Sequence, residues 1–302
     1  MIERRDLWPW AGLSLLTAVA TFALKIGAYY LTGSISFLSD GMEASINVVA
    51  AVMMGWTLVV AARPPDEEHT FGHTKVEYLA VAVEGGMIIL AAMLIWYTAW
   101  ERWSEPIVLT QLQTGLLVSF LAGGLNLIVG RLLIRVGEKQ RCTPLVADGK
   151  HLLTDVWTSV GVWGGVAAVS VTGWQRLDPI VASLVAIYIC YTGYTLVREA
   201  ILGLIDSALP ETELAQIKTI LDKYEEEAGI TYHALRTRQA GAQRFVSFHI
   251  QVPGVWSVQM GHTLVEEIED KLREELAPVS ILTHIEPQED PLSWQDIALN
   301  RE

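Results

Sequence analysis

The sequence predicts a polytopic α-helical membrane protein, with six transmembrane helices and a C-terminal cytoplasmic α+β domain of ferredoxin-like type. Three observations predict it. Six apolar runs lie between residues 8 and 205, each long enough to cross a bilayer, which takes about 20 residues as helix. The chain is 51% hydrophobic with mean hydropathy +0.34, yet no comparable run follows residue 205. The polar remainder reads helix, strand, strand, helix, strand, the order of a small layered α+β unit. The expected division is residues 1–208 for the membrane domain, 209–288 for the cytoplasmic domain and 289–302 for a polar tail.

The spans fall at about 9–31, 35–61, 77–100, 113–135, 148–173 and 179–203. Runs this long point to helices, because the backbone must satisfy itself in lipid. The first begins after MIERRD, and its apolar stretch is too long for a signal peptide and lacks a small-residue cleavage site, so it reads as a retained span. Arg4, Arg5, Arg63, Lys75, Arg131, Arg135, Lys139, Arg141 and Arg198 flank one set of span ends, while the opposite connections carry little beyond Arg102 and Arg176. Both termini are therefore expected in the cytoplasm, with the chain multi-pass in the inner (plasma) membrane. Trp8, Trp10, Trp96, Trp100, Trp103 and Trp174 near the span ends form an ordinary aromatic belt. Cys142 and Cys190 are far apart without CxxC spacing and read as reduced thiols.

The tail opens at Pro210 and Glu211 with an amphipathic helix. Strands are expected at 231–239 and 244–252, a helix at 261–276 and a strand at 280–287, with 288–302 polar and poorly ordered. Of the formal net charge of −13, −9 belongs to residues from Leu209 onward, which hold 17 acidic and 8 basic side chains. Such a surface excludes nucleic acid as a partner.

The chemistry sits where the apolar pattern breaks. Span 5 opens with ADGKHLLTD (147–155), whose Asp148, His151 and Asp155 are spaced i, i+3, i+7 and share one helix face. Span 2 repeats the spacing in SDGMEASIN (39–47) with Asp40, Glu43 and Asn47, and each Asp is followed by Gly. Ionisable groups in a span are costly unless paired or facing water. Interhelical hydrogen bonding would account for one such triad, but two matched triads point to a metal site of Glu43, Asn47, His151 and Asp155. Two carboxylates, a neutral imidazole and an amide oxygen offer four donors, and their two negative charges balance a divalent ion. Asp40 and Asp148, one turn earlier, read either as groups supporting or feeding that site or as helix N-caps. Lys25 in span 1 is expected to snorkel or pair with a neighbour. Glu84 in span 3 reads as a buried polar pairing or part of a proton path. In the first cytoplasmic loop, Asp66, His69 and His73 form a candidate surface metal site, with a solvated loop as the alternative.

Over almost its whole length the chain resembles the cation diffusion facilitator family, six-span divalent-metal efflux transporters, and within it the bacterial zinc and iron efflux members. TGSISFLSDGMEASIN, PPDEEHTFGHTKVEY, ADGKHLLTDVWTS, HALRTRQAG and THIEP carry the resemblance in order. It implies a transport site at Glu43, Asn47, His151 and Asp155. Span 2 departs from the family's more usual His or Asp at position 43 and Asp at position 47. It also implies that Asp66, His69 and His73 form a second site at the membrane–cytosol boundary, and that His233, His249, His262, His284 and Glu286 hold metal near a cytoplasmic dimer interface. All seven histidines of the chain fall in these three regions. Lys75 and Asp206 match the family's ion pair at the membrane boundary, with a weak surface salt bridge as the bland alternative.

The resulting expectation is a homodimeric, proton-coupled divalent-cation antiporter in a lipid bilayer, not an enzyme and without an organic cofactor. Zn²⁺ is the first choice of substrate, Fe²⁺ or Mn²⁺ next, with Co²⁺ and Cd²⁺ also in range. The same ions would act as regulatory ligands of the tail. The chain holds no HExxH pattern for a metallohydrolase. The alternative is a non-transporting membrane metal sensor or scaffold of the same fold.

Overall fold

The computed structural model describes residues 8–105, 108–139, 143–241 and 243–295. Arg4, Arg5, Arg141, Cys142 and everything after residue 295 lie outside the described residues. Two compact units emerge, one of residues 1–60 and 79–199, the other of residues 61–78 and 200–302.

The first unit is built from α1 (Trp8–Thr32), α2 (Ile35–Ala61), α3 (Val76–Ser104), α4 (Leu112–Lys139), α5 (Thr143–Thr172) and α6 (Leu177–Leu204). All six are long and apolar enough to cross a membrane. Their large outward side chains, Leu90, Leu117, Ile128 and Val171 among them, are exposed, as lipid-facing positions require. α5 is already helical at Thr143, five residues before the expected 148, because helix formation runs past the apolar stretch. Close helix crossings rest on glycine. A Cβ at Gly149 would lie 2.7 Å from the Gly130 carbonyl oxygen, which fixes the approach of α5 to α4; Gly85 and Gly193 do the same for α3 and α6. The glycine of the second Asp-Gly pair therefore serves packing, while its aspartate faces chemistry.

At one end of this unit, Asp178 in the first turn of α6 caps α2. Its carboxylate accepts from the backbone N–H of Ile35 at 2.7 Å and of Ser36 at 3.2 Å, and from Ser34 Oγ at 2.5 Å. These are donors that an α-helix start leaves without intrahelical partners.

In the second unit, α7 (Glu211–Ala228) precedes β1 (Thr231–Ala240), β2 (Gln243–Val252), α8 (Val258–Leu276) and β3 (Val279–Pro287). β2 is central, antiparallel to β1 and parallel to β3. Parallel neighbours need a crossover, and α8 supplies it. Val246, Phe248 and Ile250 of β2 pack on Ile217 and Leu221 of α7 and on Val265, Ile268 and Leu272 of α8. Strand alternation therefore sends His249 and Gln251 to the opposite face, away from the helices.

The expectation of disorder from residue 288 is corrected for 288–295. Pro291–Trp294 form a short 3-10 turn, and buried Gln251 donates to the Ser293 carbonyl at 3.0 Å. Ser293 Oγ donates to the Pro287 carbonyl at 2.8 Å. Local polarity concealed this anchoring, because the partner is a buried glutamine 42 residues upstream.

Candidate metal centres

α2 and α5 bring Glu43, Asn47, His151 and Asp155 around one cavity of about 40 Å³, closed further by Ile46, Ile88, Tyr188 and Ile189. Asn47 Nδ2 donates to Asp155 Oδ2, and Asn47 Oδ1 lies 2.8 Å from His151 Nε2. An amide oxygen only accepts, so His151 carries a proton on Nε2 in this arrangement. Asn47 thus bridges the imidazole and the carboxylate. Two oxygens remain buried without a hydrogen-bond partner, Glu43 Oε2 and Asp155 Oδ1. Carboxylate oxygens are seldom left so, since burying them undone is expensive. The ligand atoms have not converged fully. Among the described residues, the sets of three acidic or imidazole groups lying within 4.8 Å of one another are in the loop and the cytoplasmic domain.

Asp40 and Asp148 are not N-caps, since α2 starts at Ile35 and α5 at Thr143. Asp40 pairs with Lys25 at 2.7 Å and accepts from Ser159 Oγ at 2.8 Å and Ser119 Oγ at 3.3 Å, all of them buried. Of the two readings for Lys25, pairing is the one found. Asp148 lies close to Ser14 and keeps a buried Oδ2 without a partner. Glu84 of α3 lies within electrostatic range of Asp148, His151 and Asp155.

In the loop, Asp66 Oδ1 accepts from the backbone N–H of His69 at 2.6 Å and of Glu68 at 3.1 Å, which closes a tight turn. His69 Nδ1 lies 3.1 Å and His73 Nε2 3.3 Å from the same carboxylate. The His69 backbone bond, then the His69 side chain, hold the Asp66 carboxyl below its ordinary range. Nearby, Lys75 Nζ meets Asp206 Oδ1 at 2.9 Å, and Arg238 reaches the same oxygen at 3.2 Å. Lys75 first, then Arg238, keep Asp206 below the usual carboxylate value. Arg238 also lies 4.0 Å above the Phe245 ring, which Phe71 of the loop meets edge-on at 5.8 Å. Arg238 and Phe71 went unnoticed in the sequence, where neither bears any metal-ligand signature.

On the open face of the sheet, β1 and β2 pair His233 opposite His249, and β2 and β3 pair His249 with His284 and Gln251 with Glu286. His233 Nε2 lies 3.2 Å from His249 Nδ1 and 3.2 Å from Glu286 Oε2; His249 Nδ1 lies 3.4 Å from Glu286 Oε1. His284 stands at the rim, 3.5 Å from Glu286 and mostly exposed. His262 is not with them: it lies on α8, exposed, 3.8 Å from Glu266. The Trp294 ring sits 6.2 Å from that of His233.

Residues 12–205 match the model of the cation efflux transmembrane domain, and residues 209–288 that of the cation efflux protein cytoplasmic domain. An uncharacterized transporter of Synechocystis sp. is 46% identical over 95% of this chain and 92% of its own. The cation-efflux pump FieF of Serratia proteamaculans is 30% identical over 90% of each chain. A solved structure of CzrB in its Zn form is 31% identical over 28% of this chain and 93% of its own, with a TM-score of 0.26.

Proposed function

Because the chain belongs to the cation diffusion facilitator family of metal cation efflux transporters, we propose that it exports a divalent cation from the cytoplasm in exchange for protons, through Glu43, Asn47, His151 and Asp155. The observation that carries this is the pair of buried oxygens without donors, Glu43 Oε2 and Asp155 Oδ1, at one small cavity beside an imidazole. Two buried carboxylates, each with one oxygen that no donor reaches, are what a divalent ion would neutralise.

The exchange follows from the hydrogen bonds. With Nε2 protonated, His151 cannot ligate through that nitrogen, and Asn47 is occupied on both its polar atoms. Metal entry from the cytoplasm requires a bare ring nitrogen on His151, so an imidazolium would give up one of its two ring protons to the cytoplasmic side while the Asn47 carbonyl turns from His151 to the ion. Arrival of a proton from the other side restores the His151–Asn47–Asp155 chain and ejects the ion, so proton and metal compete for one site. A protein rocking between two accessible states converts that competition into antiport. Imidazole with carboxylates in a four-donor set favours Zn²⁺, and the oxygen-rich half on α2 brings Fe²⁺ or Mn²⁺ next.

The cytoplasmic domain holds the chain as a homodimer and binds regulatory metal at His233, His249 and Glu286, with His284 at the rim and His262 on the exposed flank of α8. Asp66, His69 and His73 bind a further ion, and Lys75 with Asp206 forms the boundary ion pair. The membrane is the inner (plasma) membrane, with both termini in the cytoplasm. A second reading, a membrane metal sensor or scaffold, draws on the cytoplasmic trio being converged while the span ligands are not.

Uptake into proteoliposomes under an imposed proton gradient separates the two. Zn²⁺, Fe²⁺, Mn²⁺, Co²⁺ and Cd²⁺ are compared for wild type and Asp155→Ala. Gradient-dependent flux lost in the variant is expected; absence of flux for every ion, with metal still bound to the cytoplasmic domain, would leave the sensor.

A further inference from the structure

The metal site does not use the ion pair beside it. Lys25 of α1 and Asp40 of α2 are fully buried. Ser159 of α5 and Ser119 of α4 donate to Asp40, and Trp163 Nε1 of α5 donates to Ser119 Oγ at 2.7 Å. Side chains from three helices thus converge on one carboxylate of a fourth. Asp40 precedes Glu43 by three residues on α2, and Ser159 follows Asp155 by four on α5. Successive spans alternate in direction, so both steps lead away from the end of the bundle at which α6 finishes. Past the pair, Ala28, Phe37, Val162 and Val166 form a buried apolar layer. On the other side of the metal site the groups are polar and incompletely satisfied, with Asp148 and Glu84 near His151.

Resting on the efflux reading, we propose that the Lys25–Asp40 clasp is the outer closure of the transport pathway, and that a divalent cation on Glu43 and Asp155 opens it. Apolar side chains would seal the bundle at least as well, since replacing a buried ion pair by hydrophobic residues is often neutral or stabilising. What the pair adds is sensitivity to charge. The Lys25 ammonium is attracted by Asp155 and Glu43 as well as by Asp40. A divalent ion on those two carboxylates cancels that attraction and leaves Asp40, of the three, to hold the ammonium by itself. Once parted, the lysine, aspartate and serine groups line a route that water can wet. After release, the bare carboxylates draw the ammonium back and the route closes.

The test uses full-length protein in sealed vesicles, with Cys142→Ser and Cys190→Ser as background. Thr158→Cys is the reporter, placed beside Glu43 and next to Ser159. A membrane-impermeant maleimide is added on the side of the membrane opposite the C-terminal end of α6. In the parent, labelling is expected to be slow and to rise about tenfold with saturating Zn²⁺, the response of a two-state closure biased by ligand. In Lys25→Met/Asp40→Asn, which leaves no charge uncompensated, labelling is expected to be fast without Zn²⁺ and unchanged by it. If that variant is not monodisperse on size exclusion, Lys25→Gln/Asp40→Asn takes its place and is scored in the same way. A double variant that labels at the parent's rate, or a parent indifferent to Zn²⁺, overturns the closure. Wild-type flux with unchanged labelling sinks the closure alone, whereas absence of wild-type flux sinks the efflux reading first.

Discussion

Asn47 is the residue on which the character of the metal site turns. It offers a neutral oxygen, and its two polar atoms reach His151 and Asp155. Asn47→Asp substitutes a charged oxygen for a neutral one, and charge-assisted contacts are about twice as strong as neutral ones. Metal binding at this site is expected to tighten by about tenfold, the effect of roughly 1.4 kcal/mol, as read by calorimetric titration in a protein stripped of its loop and cytoplasmic ligands. In the cytoplasmic domain, His249→Ala removes the imidazole that touches both His233 and Glu286. Bound metal per chain is expected to fall by the ion this trio holds, as measured by elemental analysis after dialysis. The ligand positions on α2 and α5 were legible because i, i+3, i+7 spacing is a local signal. That Lys25 pairs was one of two readings open in the sequence, but its partner was not legible, since Asp40 comes from another helix and Ser119 and Ser159 look like ordinary small residues. The separation of His262 from the other tail histidines was equally hidden, because helix α8 carries it on an exposed side that sequence spacing does not relate to the sheet face.

Among the elements, the helices were legible in number and approximate extent because hydropathy reports burial in lipid directly. Their contacts were not, because Gly130 and Gly149 reveal their crossing only when both backbones are in view. Gly149→Leu forces a side chain against the Gly130 carbonyl. Loss of monodisperse protein is expected, whereas Gly161→Ala on the same helix, which meets nothing within 4 Å, is expected to leave it intact. In the cytoplasmic domain, strand alternation made β2 readable as apolar on one face and His-bearing on the other. Phe248→Ala, at a fully buried position in that core, is expected to cost about 3–5 kcal/mol through lost contacts and the cavity left behind. Chemical denaturation of the full chain followed by a probe in that domain would register it. The strand ends fall within one residue of those expected, whereas the 3-10 turn after β3 escaped the sequence, since long-range anchors such as Gln251 to Ser293 have no periodicity.

For the whole molecule, the loop 61–78 joins residues 200–302 in one compact unit, and acid should act on the ion pairs of that unit. Glu213 is held below its ordinary value by its two-pronged pair with Arg244, and Asp206 by Lys75 and Arg238. A depressed folded-state carboxyl stabilises above its unfolded value and loses that stabilisation as pH falls through the folded one. Thermal stability of this unit is therefore expected to hold at neutral pH and to decline below about pH 4, the ordinary carboxylate range. Arg244→Gln is expected to flatten that decline, as differential scanning fluorimetry across pH would show. The cap that Asp178 places on α2 has a different consequence, for biogenesis. A ribosome delivers Ile35 to the membrane 143 residues before Asp178, so during synthesis the start of the second helix must wait, its amides served by headgroups or water, until the sixth span is threaded. Insertion of the spans can follow the order of translation, but the locking of the bundle cannot, and a nascent chain halted after the fifth span would be integrated without being assembled.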